Sequence, residues 1–435
     1  MQKLLHPSLL TLIVFSVSLF NSSLTYAEFA GGDGSEDHPY QVETPEHLNA
    51  IRHNLEAAYI LNQDINLDSD ENWEPIAGIF SGHFNGNGHS VNGLVIDQAD
   101  DDYVGFFEHI GEDAEVINFG LRHATVKGNR RVGILAGRND GVVFNCFSTG
   151  EVEGNMIVGG LVGRHNGGML MQCYSMADAS GIQSIGGLTG VSAGSALISK
   201  CYARGHVTAS GNIAGGLAGR LLGPLENSYA TGIVRGVEQV GGIAGISSDT
   251  ITNVYATGEV IGSELKGGLV GELQEGEIIN SYWNTETSGR DQGVGSSYEQ
   301  GAYGRSTQEM TGGQAKDVFE NWDFEELWLH DPEYYDGYPY FQWNEELITH
   351  VEAPKEIIVQ VYPNPTADYL QIEAPVAITS ITIYDAMGRL VMDSPIENGI
   401  TGKTKLDVQN LREGHYFVLI NTDEAPVKKR FLKLK

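Results

Sequence analysis

VGILAG (132–137), VGGLVG (158–163), IGGLTG (185–190), AGGLAG (214–219), VGGIAG (240–245) and KGGLVG (266–271) repeat one refrain at spacings of 26, 27, 29, 26 and 26 residues. After a short polar turn each is followed by a second refrain: FNCFSTGEV (144–152), MQCYSMADA (171–179), SKCYARGHV (199–207), ENSYATGIV (226–234), TNVYATGEV (252–260) and INSYWNTET (279–287). A fixed period of about 20–50 residues marks stacked units, none of which buries its apolar face alone. Both refrains are strand-like, so equivalent residues of successive coils should form ladders about 4.8 Å apart. A propeller blade needs about 40 residues or more, with alternating hairpins, and fits poorly. The chain is therefore expected to be all-β: a parallel β-solenoid of about 27-residue coils with capping segments, then a small antiparallel β-sandwich.

Working outward, charge separates the segments. Residues 28–102 carry 16 acids and one base, and residues 291–347 carry 13 acids and two bases; residues 103–290 hold 17 acids against 12 bases. The net charge of −31 thus crowds both flanks of a nearly neutral array, where charge blocks open sheet edges against other chains. The same charge disfavours nucleic acid and anionic membrane surfaces. Residues 1–27 have the form of a signal peptide: Lys3, an apolar LLTLIVFSVSLF (9–20) and a small-x-small Thr25-Tyr26-Ala27. That run falls short of the roughly 20 residues a spanning helix needs, so no transmembrane anchor is expected. Segments follow at 28–103 (N-terminal cap and first coils), 104–290 (repeats), 291–343 (acidic aromatic cap), 344–356 (linker) and 357–435 (a β-unit with nine acids and nine bases).

Thr44-Pro45-Glu46 opens a short helix, and FSGHFNGNGHSVNGLVID (80–97) forms two short strands around Asn-Gly turns. Cys146, Cys173 and Cys201 share one repeat position, later filled by Ser228, Val254 and Ser281, and are expected to be buried rather than bridged. No acid lies between Asp178 and Glu226, which excludes a two-carboxylate glycosidase from the mid-solenoid. The best carboxylate pair is Glu238 and Glu264, expected one coil apart on a solvated turn. Asp64, Asn66, Asp68, Asp70, Asn72 and Glu74 put oxygens at alternate positions, read first as an acidic solvated edge and alternatively as a structural Ca²⁺ site through Asp64, Asp68 and Asp70; no other cofactor is indicated. Phe147, Tyr174, Tyr202, Tyr229, Tyr255 and Tyr282 form an aromatic column. Facing inward it is core; facing outward, Tyr174, Tyr202, Tyr229 and Tyr255 could stack sugar rings. Arg138, Arg164 and Arg220 follow the last glycine of their refrains; solvated surface arginines are the safer reading, and an anion-tolerant patch is the alternative.

The GG-[LI]-x-G refrain with N-x-Y-A-T-G resembles the GLUG repeat of bacterial surface proteins and adhesins. VYPNPTADYLQIEA (361–374), ITIYDAMGRLV (381–391), LREGHYFVLI (411–420) and VKKRFLKLK (427–435) resemble the type A C-terminal sorting domain of the type IX secretion system of Bacteroidetes. The matching positions are Pro363, Asn364, Pro365, Asp385, Gly388, Gly414 and Tyr416. The second resemblance implies the type IX machinery as partner, export across the outer membrane, removal of this domain, and release or attachment at the cell surface. Together they imply a secreted or surface solenoid acting by adhesion or by glycan or matrix binding, favoured over catalysis. The alternatives are a polysaccharide lyase or glycoside hydrolase of β-helix type, and a structural surface spacer.

Overall fold

The coil from Ile251 to Leu273 shows how these residues make the fold. Strand Ile251–Ala256 passes through Asn253, whose φ of 52° places it in the left-handed region that Asn tolerates well. That corner sends Val254 into the coil and Tyr255 out of it. Strands Val260–Ile261, Leu265–Gly267 and Val270–Leu273 complete the turn. The next coil lies in register above it, with Ile251 beside Ile278 and Tyr255 beside Tyr282. The same corner recurs at Asn118, Asn145, Gln172, Lys200, Asn227 and Asn280, all with φ between 45° and 55°. Asn side chains at these corners also bond to one another: Asn145 Nδ2 donates to Asn118 Oδ1 at 2.9 Å.

This computed structural model describes residues 29–67, 71–297, 300–313, 315–333, 335–343, 359–385, 390–422 and 427–434. The expected signal peptide (1–27) and linker (344–356) fall outside them. About eight turns stack as a parallel β-solenoid, with coils about 27 residues apart. One 28-stranded sheet wraps most of each turn, and an eight-stranded sheet from Ile76–Phe80 to Val270–Leu273 closes it. Its interior holds Phe80, Phe84, Phe106, Phe107 and Phe119 in the first coils and smaller Val, Leu, Ile, Ala and Cys beyond. Cys146, Cys173 and Cys201 are buried and unbridged in that interior. Burial pushes the Cys146 and Cys201 thiols well up, so they pack as small apolar groups.

Two local expectations resolve differently. Thr44 does cap the helix Pro45–Ala50. Residues 80–97 hold three short strands rather than two, and they pair with neighbouring coils: His83–Asn85 with Ala58–Leu61 and Glu115–Ile117, Ser90–Asn92 with Ile65–Asn66 and Gly120–Lys127, and Val95–Asp97 with Gly120–Lys127. Neighbouring coils offer continuous ladders on both sides, which a hairpin cannot. At the C-terminus, five antiparallel strands from Gln360–Tyr362 to Val427–Lys433 form one curled sheet. Register shifts within Tyr369–Asp385 bend it around Leu370, Ile372, Ile383, Val418 and Phe431.

Candidate functional site

The glycine refrain brings the two sheets into backbone contact. A Cβ on Gly163 would lie 2.5 Å from the backbone C of Arg131 and N of Val132; one on Gly190 would meet Ile157 in the same way. No side chain fits between the strands there. Tyr103 and Arg131 sit at this seam with φ of 62° and 59°. They stand beside one column of the eight-stranded sheet, which in register reads Ile79, His109, Arg138, Arg164, Val191, Arg220, Ile246 and Glu272.

A cleft of about 330 Å³ opens at the start of this column, lined by Gly78, Ile79, Asp102, Tyr103, Glu108, His109 and Arg138. The Arg131 guanidinium lies 4.6 Å above the Tyr103 ring and 3.6 Å from Asp102. Its Nε is buried and has no hydrogen-bond partner among the described residues. Buried Asp140 anchors the column: His109 Nε2 lies 2.7 Å from Oδ2, and Arg138 Nη2 and Nε reach its two oxygens at 2.7 and 3.1 Å. Arg164 Nε donates only to the Asn166 amide oxygen, at 3.1 Å. Burial first, then the neighbouring Arg131 and Arg138 charges, lower its pKa, against the opposing Tyr103 and Asp140.

Burial alone would raise the Asp140 carboxyl, but hydrogen bonds from His109 and Arg138 overcome it and hold the pKa at about 2. The folded value lies below the ordinary value near 3.9. The resulting stabilisation is therefore present at neutral pH and is lost as pH falls from about 4 through about 2. Asp140→Asn is expected to remove on the order of 2 kcal/mol at pH 7 and little near pH 2. Urea unfolding at both pH values checks this; an equal deficit at the two would show that the charge is not the cause.

The aromatic column points out of the coil yet is not an open surface. Rings from Phe147 to Tyr255 stack at 4.7–4.9 Å, nearly parallel. Tyr174, Tyr202, Tyr229 and Tyr255 are buried in a cluster separate from the coil interior, roofed by Met310, Phe319, Trp322, Trp328, Tyr338 and Phe341 of the cap. Their outward direction matches the requirement for a sugar platform; their cover does not.

Glu238 and Glu264 lie one coil apart, since Gln239 pairs with Leu265. Glu238 is half-buried and Glu264 exposed, and neither lines the cleft. Asp64 Oδ1 accepts from Ser90 N at 2.7 Å and sits 3.5 Å from His89, so it ties one coil to the next. Asp68 and Asp70 fall outside the described residues. Among those described, no three His, Cys, Asp or Glu residues gather as a metal site. In the C-terminal sheet Pro363, Asn364 and Pro365 are exposed. The Asn364 side chain clamps the last strand, donating to Arg430 O at 3.1 Å and accepting from Leu432 N at 2.9 Å. Tyr416 is buried against Phe431, Gly414 has a φ of 149°, Asp385 ends its strand, and Gly388 falls outside the described residues. Sequence reasoning missed Tyr103, His109, Arg131 and Asp140. Counting outward positions of the second sheet one coil back from Arg138 would have found His109.

Fold and tail together define an exported parallel β-solenoid. Residues 360–434 match the family described as secretion system C-terminal sorting domain, and that tail implies secretion by the type IX system and interaction with it. No helix among the described residues is long and apolar enough to cross a membrane. Similarity to curated proteins is partial. The chain is 39% identical over 149 residues, 31% of its length, to a Gly-rich membrane protein of Evansella cellulosilytica. It is 37% identical over 203 residues, 43% of its length, to halomucin of Haloquadratum walsbyi. These matches span only 17% and 2% of those relatives. Among solved structures an IgA1 protease superposes with a TM-score of 0.45 and 15% identity, over 89% of this chain and 34% of that one.

Proposed function

We propose that this chain is a GLUG-type solenoid that works at or beyond the cell surface by binding anionic polysaccharide, in an adhesive or matrix role. The observation that carries the reading is the row of guanidiniums of Arg131, Arg138 and Arg164 beside Tyr103 and His109, in which Asp102 and Asp140 pair with the first two while the Arg164 Nε bonds to the neutral Asn166 amide. Carboxylate or sulfate groups on a sugar chain running along the stack would meet guanidiniums from successive coils, with the Tyr103 face alongside. Charge-assisted hydrogen bonds of this kind contribute about 1.5–3 kcal/mol each.

The test is an array of acidic and neutral polysaccharides probed with the full chain. Binding to acidic chains is expected to weaken about tenfold or more in Arg131→Gln and Arg164→Gln, and to fall with added salt. Equal binding to neutral chains, or variants that bind as the parent does, would overturn this reading; binding to nothing would leave a structural spacer. The β-helix enzyme alternative would instead be shown by new reducing or unsaturated ends that vanish in Glu238→Gln and Glu264→Gln.

A further inference from the structure

The coil face that carries Glu115–Ile117, Val142–Phe144, Met169–Met171 and Leu197–Ser199 changes character along the stack. In register, its two outward columns read His83, Glu115, Val142, Met169, Leu197 and Asn85, Ile117, Phe144, Met171, Ser199, Glu226. Both columns begin polar and the second ends polar, but across three middle coils both are apolar apart from Ser199. Intervening Val116, Val143, Leu170 and Ile198 already fill the interior, so the outward set is surplus to the solenoid core. An apolar patch of this kind on an exported protein needs a cover.

The C-terminal sheet has the complementary surplus. Tyr416-Phe417-Val418-Leu419-Ile420 is apolar on both faces of one strand, the pattern of a strand buried on two sides. Tyr416, Val418 and Ile420 enter the sheet's own core. Phe417 and Leu419 leave it and join Val142, Phe144, Met169, Met171 and Leu197 in one buried cluster, with Ile117 and Tyr384 at its edge. Polar contacts flank it: Arg430 Nη2 lies 3.5 Å from Glu36 Oε1 and from His83 Nε2, and Nη1 lies 3.5 Å from Asp113 O. At the opposite edge the charges of Glu226 of the solenoid, Asp323 and Glu326 of the cap and Asp393 of the C-terminal sheet all act on Lys200.

We propose that this patch is a fitted seat for the sorting domain, and that the domain keeps an apolar face of the solenoid masked until the two separate. The surface thus has an intramolecular occupant, and anything that draws the domain away uncovers Val142, Phe144, Met169, Met171 and Leu197 together.

Methionine oxidation of the full chain reads this directly, because Met169 and Met171 are covered, Met176 is 39% exposed, and Met310 is buried in the cap. Under dilute peroxide Met176 should oxidise first and Met169 and Met171 slowly. In Phe417→Asp/Leu419→Asp, and separately in Phe144→Ser on the solenoid side, Met169 and Met171 should react roughly tenfold faster or more, while Met310 stays protected. Protection of Met310 shows that the solenoid and cap remain folded. Oxidation of Met169 and Met171 as fast as Met176 in the parent chain would overturn the seat. So would unchanged protection in both variants, since the cover would then not be the sorting domain.

Discussion

Gly216→Ala is expected to destabilise the solenoid by about 3 kcal/mol or more, although it adds a single methyl at the bend between Ile213–Gly215 and Ala218–Leu221. The new Cβ would lie 2.1 Å from Gly242 O and 2.9 Å from the Ala230 Cβ. Neither is the far end of a flexible side chain. The first contact is backbone of the next coil, so relief requires moving that coil, and the coil beyond it repeats the constraint: a Cβ on Gly242 would lie 2.2 Å from Gly268 O. Thermal or urea unfolding checks this against Gly313→Ala, where nothing lies within 4 Å of the added atom. If both substitutions cost the same, backbone entropy rather than the closeness of the coils governs the refrain, and the reason for its glycines given above fails.

The ladder geometry was legible because a solenoid repeats its local physics. N-[CSV]-[FY] encodes a left-handed corner, an inward residue and an outward residue, and each is visible in one coil and confirmed in the next. Which side the tyrosines take was not legible, since alternation with small neighbours permits either face. Their cover was harder still: Tyr255 donates to Pro339 O at 2.7 Å across 84 residues, and no periodicity links those segments. The signal lay in the cap, where Trp322, Trp328, Phe341 and Trp343 within 22 residues must bury their rings against something. The Arg131 side of the basic seam escaped for a different reason. Arg138 and Arg164 are neighbours by register, but Arg131 comes from the other sheet, and only the glycine contact between sheets brings it alongside. The seat of the sorting domain was readable in halves, as an apolar run on one strand and apolar outward positions on three coils, with nothing in the sequence to join them.

Trp328→Ala is expected to loosen the cap over the aromatic column. Trp328 is fully buried, with ring centroids 4.3 Å from Phe341, 4.5 Å from Trp322 and 6.2 Å from both Tyr229 and Tyr255. Removing a buried aromatic ring of this size costs about 3–5 kcal/mol, set against polar ties that remain, among them the Tyr255 hydroxyl to Pro339 O at 2.7 Å, Asn284 Nδ2 to the Tyr338 hydroxyl at 2.6 Å and the pairing of Ser281–Asn284 with Ala302–Arg305. They also include Trp322 Nε1 to Asn280 O at 2.9 Å and Glu320 N to the Tyr282 hydroxyl at 3.0 Å. Because the column and cap form a cluster separate from the coil interior, the solenoid should stay folded while its tyrosines become reactive. Tyrosine nitration mapped by mass spectrometry would show new modification at Tyr202, Tyr229 and Tyr255 with circular dichroism unchanged; tyrosines that stay protected would mean that the cap is held by more than this ring. The variant also separates two ways the solenoid could engage sugar. Stacked rings at 4.7–4.8 Å are a flat apolar platform with no charge requirement, whereas the Arg131–Arg164 seam needs anionic groups. Gain of neutral-polysaccharide binding in Trp328→Ala, with acidic-polysaccharide binding unchanged, would assign the column a role that the closed cap withholds. No gain would leave the tyrosines as the cement between coil stack and cap, which their burial in the intact chain already makes them.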